Sequence, residues 1–219
     1  MKTRAQHRAT TAPSSAGDSA GNSPGAPAEA PGTRERIVRA ASALMQRQGY
    51  DATAIKQISQ EADATLGSVY HFFPGGKQEL AVAAVHRGDE EFSGILREIL
   101  DAEPDPVAAL TALTDSLAEG LRDSDWADGC PVTATALGTA GRLPDIQRAA
   151  AAAFDRWQGL VREKLTASGV PGDEAADLAC TVISTLEGAE LAAQVTRDDR
   201  PLRLAGTHLA RLVSLSLDR

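Results

Sequence analysis

Residues 53–80 read TAIKQISQEADATLGSVYHFFPGGKQEL, and this stretch restricts the fold more than any other part of the chain. Ile55, Ile58 and Ala62 fall at helical spacing behind Thr53, which predicts a short helix with Thr53 as its N-cap. Thr65 is a second capping residue. Val69 and Phe73, one turn apart, predict another short helix, which Pro74-Gly75 ends. Only Asp63 and Ala64 lie between the two. Two short helices joined by so tight a turn form a helix-turn-helix. Asp63 suits the turn, because Asp tolerates left-handed backbone better than most residues.

The segments on either side are helical too. TRERIVRAASALMQRQGY, residues 33–50, starts at the capping-type Thr33. Ile37, Ala41 and Leu44 mark one face, Val38 and Met45 lie beside it, and Gly49 stops the helix. A fourth helix starts at Gly76 or Lys77. Breaks follow at 103–106, 125–131, 141–144, 168–173 and 197–201, which leaves roughly five further helices. No alternating strand of convincing length and no repeat occurs, so the fold class is all-α. Residues 1–32, rich in Ala, Pro, Ser and Gly, offer little to bury and read as a disordered tail. Lys2, Arg4 and Arg8 within it could touch an anionic surface.

Gly75-Gly76-Lys77 before a helix suggests a phosphate site, and a nucleotide is the first candidate. A P-loop needs Gly where His71 stands and Ser or Thr where Gln78 stands. Both ends fail, and no strand-like run precedes the stretch. A helix start still presents unpaired N–H groups and a positive dipole end, to which Lys77 adds a full charge.

Net charge argues weakly against a nucleic-acid partner, because the whole chain carries −8. The distribution reverses that argument. Residues 33–87 hold seven basic and five acidic residues, whereas residues 88–219 hold twelve basic and 23 acidic. The acid sits in the C-terminal part. Thr65, Gly67 and Ser68 make the start of the second short helix small and polar enough to enter a major groove. Tyr70 and His71, one turn on, can reach phosphate oxygens.

Taken together, TAIKQISQEADATLGSVYHFFPGGKQEL resembles the DNA-binding segment of the TetR/AcrR family of bacterial transcriptional regulators, from Thr33 to about Val85. YHFFPGGK, with GCPVTATALG at 129–138 and EGAELAA at 187–193, resembles the LmrA/YxaF-like branch. The resemblance implies a three-helix DNA-binding domain over residues 33–80 and a helical ligand-binding and dimerisation domain over 81–219. It implies phosphate contacts from Thr53, Tyr70, His71 and Lys77, and groove-facing roles for Lys56, Thr65, Leu66, Gly67 and Ser68. Leu66 departs from the pattern, since the family usually has Lys or Arg there. It could meet a thymine methyl or fold onto the core beside Val69.

The last two helical segments, 180–195 and 201–217, carry more apolar surface than a monomer needs. They predict a homodimer through a four-helix bundle, reading a palindromic operator in double-stranded DNA with two heads. Trp126, Phe154 and Trp157 are scarce large aromatics that could line an effector pocket; Cys130, Thr133 and Leu137, in the branch-like segment, are further candidates. Asp125 and Asp128 argue against an activated thiolate at Cys130. No metal-ligand spacing and no nucleophile–base pair occurs, so no metal, cofactor or catalytic residue is expected.

The expected protein is a cytoplasmic regulator, a repressor released by a small apolar or amphipathic effector, and the resemblance to the LmrA/YxaF-like branch implies efflux or detoxification genes as its targets. It has no membrane association. The competing reading is a helical small-molecule-binding or enzymatic module with a vestigial DNA-binding head. Leu66 and the acidic total charge are its support.

Overall fold

A computed structural model describes residues 31–218. All but the last two positions of the tail expected over 1–32, Lys2, Arg4 and Arg8 included, lie outside the described residues. Among those described, nine α-helices and no strand occur: α1 (Thr33–Ala52), α2 (Ile55–Glu61), α3 (Leu66–Phe72), α4 (Gly76–Ala102), α5 (Pro106–Asp123), α6 (Pro131–Leu137), α7 (Pro144–Ala167), α8 (Gly172–Thr196) and α9 (Arg200–Leu217).

Two of the four expected helix starts differ in detail. Thr33 is the first residue of α1 rather than its cap, because the Gly32 carbonyl already accepts the first helical bond, from the Arg36 N–H at 3.0 Å. Thr53 does not cap α2, whose cap position is Ala54. Gly49 leaves helical geometry at φ 75°, ψ 174°. The Thr53 N–H then goes to Tyr50, and the freed Gly49 carbonyl accepts the Thr53 hydroxyl instead, at 2.8 Å. Thr53 is consequently buried. Thr65 does cap α3: its hydroxyl oxygen accepts the Ser68 N–H at 3.0 Å and pairs with the Ser68 hydroxyl at 2.9 Å. Asp63 takes the left-handed turn conformation, φ 47°.

Helices α2 and α3 have seven residues each, too few to persist alone in water. Tertiary burial holds them. Ile58, Ala62, Val69 and Phe73 pack with Ile37, Val38, Ala41 and Met45 of α1. Each large apolar side chain so buried contributes about 1.5–3 kcal/mol, which outweighs the weak local propensity. Arg36 of α1 fastens the turn itself: its Nε–H donates to the Ala62 carbonyl at 3.0 Å and an Nη–H to that of Asp63 at 3.3 Å.

Helix α4 is the long element that continues from the α1–α3 head into the remainder of the fold. It packs on α1 and on α7; α7 packs on α8, and α9 packs on α5 and α8. The core is continuous from Ile37 to Val213. Short α6 lies across both α1 and α4. Gly88 permits that approach, since a Cβ there would meet the Pro131 ring at 2.7 Å.

Candidate nucleic-acid interface and cavity

Helix α3 separates its residues sharply. Val69 and Phe73 face the core. Leu66, Gly67, Tyr70 and His71, spaced as one helical face, are exposed, with Tyr70 at 52% and Leu66 at 44%. Leu66 therefore stands on the outer face rather than on the stripe with Val69. Lys56 of α2 is exposed as well, and Ser68 is half-buried beside its cap. The arrangement presents a polar, small-residue helix start with an aromatic hydroxyl and an imidazole a turn away. Such a surface fits a groove and its flanking phosphates.

Two expectations about the phosphate side change. The Thr53 hydroxyl is enclosed and has no surface to offer a phosphate. The start of α4 is less open than its glycines suggest, because the Gly75 N–H donates to the Glu79 carboxylate at 2.8 Å and the Gly76 N–H to the Phe73 carbonyl at 2.9 Å. Lys77 lies half-buried, its ammonium 4.4 Å from the centre of the Tyr50 ring and donating to the Asp51 carbonyl at 3.2 Å. Burial lowers its pKa, and the Asp51 charge acts in the opposite sense.

A cavity of about 220 Å³ lies between α4, α5, α7 and α8, closed on one side by residues 128–131. Phe92, Ile95, Leu117, Leu121 and Trp157 supply apolar wall, and Glu187 and Glu190 of α8 supply acid. Trp157 is fixed by Asp89, whose buried carboxylate accepts the indole N–H at 3.0 Å and the Ser93 hydroxyl at 3.0 Å, with Arg156 at 3.3 Å. Gln46 of α1 also reaches the cavity, and its amide donates to the Gly129 carbonyl at 2.6 Å.

The six pocket candidates divide. Cys130 and Trp157 line the cavity. Phe154 stands behind Trp157, ring centres 5.1 Å apart. Thr133 acts through Glu187, to which its hydroxyl donates at 2.6 Å. Trp126 follows α5 in a left-handed turn, φ 65°, and packs in a separate small cluster with Leu121 and Leu202. Leu137, at the end of α6, is 64% exposed. The last two do not line this cavity.

Burial raises the pKa of the Cys130 thiol, and the Glu187 and Glu190 charges raise it further. Asp125 and Asp128, invoked from the sequence, are engaged elsewhere, with Arg197 and Arg47. Burial also raises Glu187, against hydrogen bonds from Thr133 and Cys130. Glu190 is pushed up to about 8, by burial first and by Glu187 second.

With this geometry, residues 37–84 match the family model described as bacterial regulatory proteins, tetR family, and residues 106–208 match the C-terminal domain of LmrA/YxaF-like transcriptional regulators. An HTH-type transcriptional regulator of Mycobacterium tuberculosis is 38% identical over 192 residues, covering 85% of this chain and 96% of the relative. This chain belongs to the TetR family of transcriptional regulators. YxaF of Bacillus subtilis is 33% identical, covering 83% of this chain and 95% of its own length, and LmrA of the same organism is 31% identical, covering 78% and 90%. The fold agrees with a TetR regulator from Legionella pneumophila, TM-score 0.75 and 23% identity, covering 84% of this chain and 98% of that one. A TetR regulator from Chloroflexus aurantiacus gives TM-score 0.70 and 28% identity, covering 83% and 94%. In this TetR-family regulator the first match takes in most of α1, α2, α3 and the start of α4, and the second takes in α5 to α8 and the first half of α9. No helix among the described residues is long and apolar enough to cross a membrane.

Proposed function

We propose that this regulator is a homodimeric repressor that holds a palindromic operator and releases it when a small molecule enters the cavity beside α8. The observation that carries this reading is the position of Gln46. It belongs to α1, which packs against α2 and α3, and it is also a wall of the cavity. A ligand that prefers one position of residues 128–131 thereby prefers one position of α1. Differential affinity for two arrangements is what couples a pocket to a distant head.

The DNA face in this reading comprises Lys56, Thr65, Leu66, Gly67 and Ser68 toward the groove, with Tyr70, His71 and Lys77 toward phosphates. Residues 33–80 form the reading head and 81–219 the effector and dimer body. The dimer forms through α8 and α9. Thr181, Ser184, Gly188, Leu191, Ala192 and Val195 make an exposed, uncharged stripe on α8, and Leu204, Leu212 and Leu215 are exposed on α9. Burying such a face against a second copy removes apolar surface from water and sets two heads for one site. The protein works in the cytoplasm without catalysis, on efflux or detoxification genes.

The test is binding of the purified chain to DNA flanking its own gene across a salt series. The reading requires dimers and a salt-dependent preference for one palindrome over scrambled DNA. Binding that is equal on both sequences rules out the operator; a monomer at operator-binding concentrations rules out the dimer.

A further inference from the structure

The cavity has an electrostatic asymmetry that apolar walls do not need. Four acidic side chains line it, Glu91, Asp128, Glu187 and Glu190, and no Lys, Arg or His does. Two of the four are compensated from outside: Asp128 by Arg47 at 2.6 Å and Glu91 by Arg87. Glu187 accepts the Thr133 hydroxyl and nothing cationic. Glu190 is 92% buried, since only 8% of it is exposed, and among the described residues its carboxyl group makes no hydrogen bond and pairs with no cation, so its oxygens open onto the cavity instead of meeting a fixed partner. A buried carboxylate without a partner costs several kcal/mol or stays protonated. Replacing Glu190 by an apolar residue would relieve that cost, so the acid is a poor choice for packing alone.

Another part of the wall is aromatic. Phe92 and Trp157 both line the cavity, in edge-to-face contact at 4.8 Å between ring centres. An organic ammonium group is attracted both to a carboxylate and to aromatic faces. We infer that the effector is a small organic cation, its charged head held by Glu190 and Glu187 and its apolar body against Phe92, Trp157 and Leu117. The inference rests on the reading of this cavity as the effector site, and narrows it from apolar or amphipathic molecules to cationic ones.

The proton on Glu190 gives the idea a second signature. Its raised pKa means that near neutral pH much of the folded protein carries a protonated Glu190. A permanent cation binds the ionised form, so binding expels a proton and strengthens as pH rises through about 8. The titratable groups that line the cavity with Glu190 are Glu187 on its own helix, Cys130 and the paired Asp128 from the loop before α6, and the paired Glu91 on α4. The parts of α5, α7 and α1 that line the cavity contribute no titratable side chain.

Calorimetry on the full-length protein tests this with two probes of the same shape, phenyltrimethylammonium and neutral tert-butylbenzene, at pH 6.5 and 8.5. Phenyltrimethylammonium is expected to bind at least about tenfold tighter than the hydrocarbon at pH 8.5, a difference of about 1.4 kcal/mol. It is expected to release protons on binding, seen as a buffer-dependent heat. Glu190→Gln, which keeps shape and removes charge, is expected to remove most of the preference and most of the proton release. Glu187→Gln reduces the preference and keeps the proton release.

Equal binding of the two probes, a preference undiminished by Glu190→Gln, or no binding of the cation at either pH overturns the inference. Operator binding, measured on the same preparations without ligand, reports separately on the regulator reading. Its failure alone sinks that reading and leaves the calorimetric result standing.

Discussion

The side-chain amide of Gln46 donates to the backbone carbonyl of Gly129 at 2.6 Å, across 83 positions of chain. One position on, Arg47 forms two bonds to the Asp128 carboxylate, at 2.6 and 3.0 Å. Both join the helix that supports the reading head to the segment that closes the cavity. Arg142 to Asp51, at 2.6 Å, and Gln78 to Asp145, at 2.9 Å, tie the head to the turn between α6 and α7 and to the first turn of α7 in the same way. The two parts of the molecule therefore meet through discrete polar contacts as well as through shared core.

Gln46→Ala removes the bond and keeps the helix, since Ala is the best helix former. Coupling between effector and DNA is typically 1–3 kcal/mol, and a single contact at the junction carries a share of it. The effector-induced fall in operator affinity is expected to shrink by about threefold or more, read by fluorescence anisotropy with and without ligand. Arg47→Ala is the milder companion, because an exposed ion pair contributes only about 0.2–1 kcal/mol. Coupling that is unchanged in both variants would place the communication elsewhere.

The α3 face predicts opposite outcomes at neighbouring positions. His71→Ala removes a candidate phosphate contact and is expected to weaken binding about equally on all DNA sequences, with a salt slope shallower by about 1. Leu66→Lys places a cation on an exposed position of the same face, and is expected to tighten binding and steepen the slope by about 1. Leu66→Ala distinguishes a thymine contact: it costs about 1–3 kcal/mol at one base pair if Leu66 reads that base, and nothing sequence-specific otherwise. Anisotropy titrations at four salt concentrations check all three.

Thr65→Ala breaks the cap of α3, where the hydroxyl oxygen satisfies the Ser68 N–H. The expected loss is about 1 kcal/mol of unfolding free energy in urea titrations. Thr53→Ser, which retains the hydroxyl that serves the Gly49 carbonyl, is expected to be milder than Thr53→Val, which leaves that carbonyl without it and costs about 1–3 kcal/mol. Equal effects of Ser and Val at 53 would mean that only volume matters there.

The legible parts of the chain were those where one residue type has one physical role. Pro106, Pro131 and Pro144 each stand in the first turn of a helix, where a missing N–H costs nothing, so the breaks before α5, α6 and α7 could be read directly. The reading head was legible because α2, the turn and α3 are contiguous. Thr53 misled because its hydroxyl answers to Gly49, which is unusual only in its φ. The cavity was least legible, because its walls come from α1, α4, α5, α7 and α8 and the loop before α6. Asp89 and Trp157 meet across 68 positions. A signal was present in EGAELAA, where two acids three residues apart interrupt an otherwise apolar segment; their burial is what the one-dimensional pattern could not supply.

Glu190 yields a stability prediction independent of any ligand. Its carboxyl titrates near 4.5 in the unfolded chain and at about 8 in the folded protein. Between those values the folded protein holds a proton that the unfolded chain has released. The contribution is therefore fully present below pH 4.5 and lost as pH rises through about 8. Each pH unit inside that window removes at most about 1.4 kcal/mol per proton held. Glu190→Gln keeps the shape and cannot ionise. The difference in unfolding free energy between wild type and the Gln variant is expected to fall steadily from pH 5 to 8 and to level off above. Taking the difference cancels the other carboxylates to first order, although Glu187, whose burial acts in the same sense, leaves some slope in the variant. Urea titrations of both proteins at unit pH intervals from 5 to 9 decide the matter. Parallel curves would mean that Glu190 is ionised and solvated in the folded state, and that the cavity is wetter than its apolar walls imply.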